Sequence, residues 1–404
     1  MDFDIDFEVE NEYERCVRHR RALHENAEVG FDLDRTFRYV YDELCNIGFT
    51  PKRIGRCGIA AEVKGLESGT CIMLRADMDA LPISEESGLE FSSSSGAMHA
   101  CGHDMHAAIL LSVSRILFKN KEIIKGRVVF VFQPAEETLA GAKDMIDSGL
   151  LELYAPDVAV AIHTLVAIPL SHGSVVVGSG GVGAPSADFF KITFLGSSAH
   201  GAAPHRASDA LGCALTTVDM LNSRITREVP TSVRPLLTFG SLHSGKCANV
   251  IPEIAIAEGT LRSFSDDANG HMRERIVEIT SSVASIFRVE SRVEFTSGCP
   301  TLINDNEVSA LAFDAISESK CIRCYYSSSL GEAAEGSEDF AYITHRIPSV
   351  MIGVMAGSEM DGYTCSAHNP RTVYDERALK TGIEVYLRCT LGILEKRKGR
   401  AIKD

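Results

Sequence analysis

Residues 98–106 read MHACGHDMH. They hold three histidines, a cysteine and an aspartate, in a chain with 13 histidines among 404 residues. Cys101 and His103, spaced C-x-H, precede an apolar helical stretch and so fall on a turn at its N-terminus. Other groups of the same chemistry follow apolar runs that read as strands. Asp77 and Asp79 in RADMDALP follow TCIMLRA, and Glu136 and Glu137 in QPAEET follow RVVFVFQ. His163 closes DVAVAIH, and His368 in SAHNP follows PSVMIGV. Thiolate, imidazole and carboxylate together suit Zn²⁺, with Mn²⁺ or Co²⁺ entering as the carboxylate share rises. Cys101, His103, Glu137, His163 and His368 exceed one tetrahedral site and match two metals sharing a bridging ligand. Of two consecutive glutamates, one can bind metal while the other, Glu136, stays free as general base. Asp79 is placed to orient a ligating imidazole from behind.

These groups need a frame. The first part of the chain alternates helices, at about 12–26 and 34–47, with short apolar strands GIAAEVKG, TCIMLRA, RVVFVFQ and DVAVAIH. Between the second and third strands lies the apolar helix MHAAILLSVSRILFKN. Continuous apolar strands alternating with helices predict an α/β fold, a mostly parallel sheet with helices on both faces. In such sheets ligands bind beyond the carboxyl ends of the strands, where every candidate above falls. From about Ala187 the order becomes β-α-β-β-α-β, an α+β ferredoxin-like unit. Alternation resumes after it, with strand PSVMIGV and a closing helix at about 376–396. The expected organisation is a catalytic domain in two segments, 1–186 and 299–404, interrupted by a smaller domain at 187–298.

Composition narrows the class. A net charge of −15 opposes binding to nucleic acid or anionic membranes. No apolar run reaches the roughly 18 residues of a membrane span. The acidic start MDFDIDFEVENEYER resembles neither a secretory signal nor a transit peptide. Twelve cysteines without repeating spacing fit reduced thiols. A cytoplasmic protein is expected.

The motifs RADMDALP, MHACGHDMH, QPAEE, GSEDFA and HNP resemble those of the hippurate hydrolases and indole-acetyl-amino-acid hydrolases. These are N-acyl-amino-acid amidohydrolases, a branch of the aminoacylase and glutamate-carboxypeptidase metallopeptidases. The similarity is nearly full length, from RRALHENAEVGFD to the last helix. It implies a two-metal, aminopeptidase-like catalytic domain with an inserted lid and dimerisation domain. It places the ligands on Cys101, His103, Glu137, His163 and His368, and the base on Glu136. Where the wider superfamily has His-x-Asp, this chain has Asp77-Met78-Asp79, and His103 takes the place of the lost histidine. AHGAAPH is similar to the lid motif whose histidine, here His200, polarises the scissile carbonyl, often in the partner subunit. ANVIP and GTLRSF imply that Asn249 and Arg262 hold the substrate carboxylate, a group a guanidinium fork suits. The expected partners are an N-acyl amino acid or dipeptide-like substrate and a second copy of the chain. An unpaired edge strand and an amphipathic helix in the inserted domain could supply that homodimer surface.

The expected activity is metal-dependent hydrolysis of N-acyl amino acids to a carboxylic acid and a free amino acid. A dipeptidase or carboxypeptidase would need the same ligands and a different pocket. An inactive metal-binding scaffold would have no need of Glu136. A Cys101 nucleophile paired with His103 is disfavoured, because neighbours two apart on a turn do not form a nucleophile–base pair. Cys365, near His368, reads as packing.

Overall fold

The computed structural model describes residues 3–327 and 336–397. The sequence-derived segment 299–404 therefore includes 328–335 and 398–404, which lie outside the described residues. The chain folds as two compact units. The smaller is Ala184–Thr301 together with residues 336–337, and the other described residues form the larger. The smaller unit is three residues wider at each end than the 187–298 read from the sequence.

The larger unit is built on a sheet of eight described strands. Their order is Lys52–Ile54, Gly58–Lys64, Lys125–Gln133, Glu67–Asp77, Val158–Leu165, Ser349–Met355, Ser174–Gly178, Arg323–Ser327. The four strands from Lys125–Gln133 to Ser349–Met355 are mutually parallel. Antiparallel pairs flank them on both sides. Alternation along the central strand separates the two faces. Ile72, Leu74 and Ala76 join the core formed with helices Ile5–Glu25, His103–Lys119 and Ala378–Lys396. Arg75 faces the other way, toward Gln133 and the 338–339 segment.

The first helix starts at Ile5, earlier than the periodicity of its apolar residues suggests. Asp4 caps it, accepting from the Phe7 N–H at 3.2 Å. Acidic residues in the first turn suit the positive end of the helix dipole. Strands Ser174–Gly178 and Arg323–Ser327 were not expected from the sequence. Each is only five residues long.

The smaller unit has the β-α-β-β-α-β order. Its antiparallel sheet runs Leu236–Ser244, Ile254–Ser263, Ser186–Leu195, Glu290–Cys299. Helices Ala210–Arg224 and Asp266–Phe287 are capped by Asp209 and Ser265. They bury Cys213, Leu221, Met272 and Ile276 against Phe190, Ile192, Phe194 and Leu261.

Candidate metal and catalytic centre

The four parallel strands deliver the candidate residues at their carboxyl ends. Asp77 ends its strand, and Glu136 and Glu137 follow Gln133. His163 is two residues from the end of its strand, and His368 lies in the loop beyond Met355. Cys101 and His103 lie at the start of helix His103–Lys119. The cap of that helix is Gly102, at φ +76, a left-handed conformation. A Cβ there would run into the Thr164 hydroxyl and the Tyr374 ring. Only glycine fits, so the turn that aims Cys101 and His103 is fixed by one residue.

The side chains converge. Ligand atoms of Cys101, His103 and His163 lie within 4.8 Å of one another, as do those of Cys101, Glu137 and His368. His103, Glu136 and Glu137 form a third such group. Cys101 is common to the first two, so the expected five ligands form two sets joined by its sulfur. Its Sγ is 3.5 Å from His163 Nε2, and Glu137 Oε1 is 3.5 Å from His368 Nε2. The imidazoles are oriented by backbone carbonyls. His103 Nδ1 donates to the Asp79 carbonyl at 2.9 Å, and His163 Nδ1 donates to the Thr164 carbonyl at 2.8 Å. Each Nε2 is thereby left as a lone-pair donor toward the cluster.

A divalent pair fits these residues. Among the described residues, His103 Nε2 and Glu137 Oε1 are buried with no hydrogen-bond partner, an expensive state unless a cation takes them up. Burial and Glu137 push the Cys101 thiol up, which makes it inert as a free nucleophile and dependent on a nearby cation to ionise. Burial lowers His163 to about 3, so it is neutral, the form that ligates. Glu136 is pushed well above the usual carboxylate range by burial, then by Glu338, Glu137 and Asp339. That is the direction a general base requires.

Asp79 lies beside the imidazole, with its Oδ1 3.6 Å from His103 Nδ1. Its carbonyl orients His103, while its carboxylate accepts from the backbone N–H of Glu136 at 3.0 Å and of Glu137 at 3.3 Å. It holds the turn that carries the two glutamates. Of the other two histidines of MHACGHDMH, His106 groups with Asp77 and His103, but both its ring nitrogens are taken up. His106 donates from Nδ1 to Asp77 at 2.6 Å, and its Nε2 accepts from the Thr164 N–H at 2.8 Å. His99 is buried with neither ring nitrogen hydrogen-bonded among the described residues. Asp104 is buried against Arg20 and His24. Among the described residues, Cys365 belongs to no ligand group.

In the smaller unit, His200 is exposed and pairs across a two-stranded bridge with Val250. Its Nδ1 accepts from the Ala202 N–H at 3.0 Å. Asn249 adjoins that bridge, its carbonyl accepting from the Gly201 N–H at 2.7 Å. Arg262 is half-buried on strand Ile254–Ser263 and donates to the Ser337 hydroxyl at 2.7 Å.

The sequence assigned no role to Arg75, Asp77, Glu338 or Asp339. The fully buried Arg75 guanidinium donates to Asp77 at 2.7 Å, Glu338 at 2.8 Å and Asp339 at 3.1 Å. The only signal was position: two charged motifs, RADMDALP and GSEDFA, each beside an apolar run.

Known proteins resemble this chain over most of its length. An N-acetyl-L-cysteine deacetylase of Bacillus subtilis is 33% identical over 89% of this chain and 83% of its own length. A thermostable carboxypeptidase of Saccharolobus solfataricus is 31% identical over 91% of this chain and 92% of its own. The crystal structure of the YXEP protein of Bacillus subtilis, described as a dinuclear metal-binding peptidase of family M20, superposes with a TM-score of 0.78 at 27% identity. It covers 96% of this chain and all of that one. The model of peptidase family M20/M25/M40 matches residues 73–391, which span the whole centre, and the chain belongs to that family.

Proposed function

We propose that the protein is a two-metal hydrolase of linear amides that cleaves N-acyl amino acids to a carboxylic acid and a free amino acid. The observation that carries this reading is Glu136. It is a buried carboxylate beside the ligand Glu137, kept out of the two sulfur-joined ligand sets and raised in proton affinity. Cys101, His103, Glu137, His163 and His368 would hold the metals. When bound, a divalent pair supplies Lewis-acid polarisation of the amide carbonyl and acidifies water. Glu136 takes the proton of the attacking water and returns it to the leaving amine, so one residue serves as base and then as acid. Asp79 keeps that carboxylate in place through its backbone. The relative named for deacetylation supports an N-acyl substrate. The carboxypeptidase relative supports a second reading with the same chemistry and a different pocket.

In this reading His200 stabilises the tetrahedral oxyanion, and Asn249 and Arg262 hold the substrate carboxylate. The metals are Zn²⁺ or Mn²⁺, with Co²⁺ able to substitute. The protein works as a cytoplasmic homodimer. Support for the dimer comes from the edge strand Leu236–Ser244 and from Val277 and Ile286, exposed on helix Asp266–Phe287.

Metal-reconstituted protein assayed on N-acetyl amino acids beside dipeptides tests the substrate class. Glu136→Gln should lower kcat by roughly 10²–10⁴-fold with metal retained. Near-wild-type turnover in that variant would remove Glu136 from the mechanism. Mixing inactive His200→Ala with inactive Glu136→Gln chains tests the arrangement. Activity returns if His200 acts across a dimer, since one site of each heterodimer is then intact. Mixed dimers without activity would confine His200 to its own chain.

A further inference from the structure

The turn carrying Glu136 and Glu137 departs from relaxed backbone geometry. Ala135 and Leu139 flank the two glutamates at φ 52 and φ 54, a left-handed conformation that residues with a Cβ adopt only when their surroundings impose it. Asp79 holds the middle of the turn through the Glu136 and Glu137 N–H groups. Its two ends are held by one carboxylate from far along the chain. Asp339 Oδ1 accepts from Gln133 Nε2 at 2.6 Å, and Asp339 Oδ2 accepts from the Ala142 N–H at 2.8 Å. Gln133 ends the strand before the turn, and Ala142 is the second residue of the helix after it. Arg75, on the adjacent strand, donates to Asp339 Oδ1 at 3.1 Å and to Gln133 Oε1 at 2.9 Å. Asp339 is fully buried, so none of these bonds is exchanged with water.

The chemistry at position 339 is specific. Its two oxygens face three N–H donors. An amide of the same shape would turn an NH₂ group against at least one of them, leaving two buried donors in opposition. One end of the turn would be freed while the side-chain volume stayed the same.

We propose that Asp339 is a positioning residue of the hydrolytic reaction: it clamps the entry and exit of the catalytic turn, so that Glu136 and Glu137 both keep their places beside His103. The inference rests on the amidohydrolase reading for its kinetic arm only. Glu137 is a ligand on the same turn, so the clamp also has a spectroscopic arm that needs no substrate.

The experiment compares wild type, Asp339→Asn, Gln133→Met and the double variant as full-length protein loaded with Co²⁺. Gln133→Met removes one end of the clamp without touching Asp339. Metal content, the Co²⁺ absorption spectrum, the thermal midpoint, kcat and KM are measured on an N-acetyl amino acid that wild type cleaves. At equal metal content, Asp339→Asn should lower kcat about tenfold or more with KM changed by less than about threefold, and should shift the cobalt bands. Gln133→Met should show a smaller loss of the same kind. The double variant should lose less than the product of the two, because both changes release one restraint. Folded, loaded Asp339→Asn with wild-type kcat and spectrum would overturn the proposal, as would losses that multiply. If Asp339→Asn does not fold, Gln133→Met with wild-type kcat and spectrum overturns it. If wild type cleaves no N-acyl amino acid while the spectra shift as stated, the substrate reading fails and the clamp stands.

Discussion

Raising the pH from 6.5 to 9.5 should loosen the helix that presents His103, through His24. His24 is buried with Nδ1 2.9 Å from Asp104 Oδ2 and Nε2 3.1 Å from Glu85 Oε1. Burial alone would lower its pKa, but Asp104 and Glu85 override burial and raise it to about 9. Asp104 also accepts from Arg20 Nε at 3.0 Å, and Arg20 reaches Glu376 at 3.0 Å. The first helix, the helix that starts at His103 and the approach to the closing helix are thus tied at one point. A folded-state value above the unfolded 6.5 means that the stabilisation is complete below pH 6.5, falls between 6.5 and 9, and is gone above 9. The rise from 6.5 to about 9 is worth about 3 kcal/mol at roughly 1.4 kcal/mol per pH unit. For a unit of this size that is about 5–10 °C in Tm. Burial raises Glu85, but its bonds to His24 and Ser87 lower it to about 2. Its contribution is therefore present above pH 4.5 and lost only in strong acid. The assay is thermal unfolding of chelated protein from pH 5.5 to 9.5, for wild type and His24→Gln. Wild type should be the more stable at pH 6, and the gap should close as the pH rises through 9. A gap that stays constant or widens above pH 7 would refute the charged lock.

Cys101→Ala should lose metal and activity together, measured by metal analysis after reconstitution, because its sulfur belongs to both ligand sets. A variant that keeps both metals and loses only turnover would revive the nucleophile reading. Gly102→Ala should cost at least about 1–2 kcal/mol in unfolding experiments and should also lower metal content, because the turn must open to admit a Cβ beside Thr164 and Tyr374. Unchanged stability and metal content would mean that the turn is not fixed at Gly102.

The sequence carried the centre because the chemistry is local to strand ends. Glu136 and Glu137 follow one apolar run, Asp77 and Asp79 another, and parallel strands place such ends side by side. That inference needs no distances. The ligand role of His103 against the spent role of His106 was not legible in the same way. The two lie three residues apart on one helix and differ in what their ring nitrogens meet: His103 Nδ1 meets a backbone carbonyl, while His106 meets the Asp77 carboxylate through Nδ1 and the Thr164 N–H through Nε2. Asp79 shows the same limit. The sequence placed it beside the imidazole, but could not say that its carbonyl does the orienting while its carboxylate holds the next turn.

Asp339 extends the reasoning to contacts that no local pattern encodes. GSEDFA sits nearly two hundred residues from QPAEE, and only the fold reveals that one carboxylate brackets both ends of the other motif. The left-handed conformations at Ala135 and Leu139 explain why such a bracket is needed. Glu136 and Glu137 each bring a carboxylate oxygen to 3.9 Å from His103 Nε2. Bringing two adjacent side chains to one point on a short connection costs backbone strain, and the strain persists only where buried polar contacts over-determine it. Asp79 at the middle and Asp339 at the ends supply those contacts. The division of labour between Glu136 and Glu137 therefore depends on two aspartates outside the ligand cluster, so some of the most damaging substitutions in this protein should fall on residues that touch neither metal nor substrate.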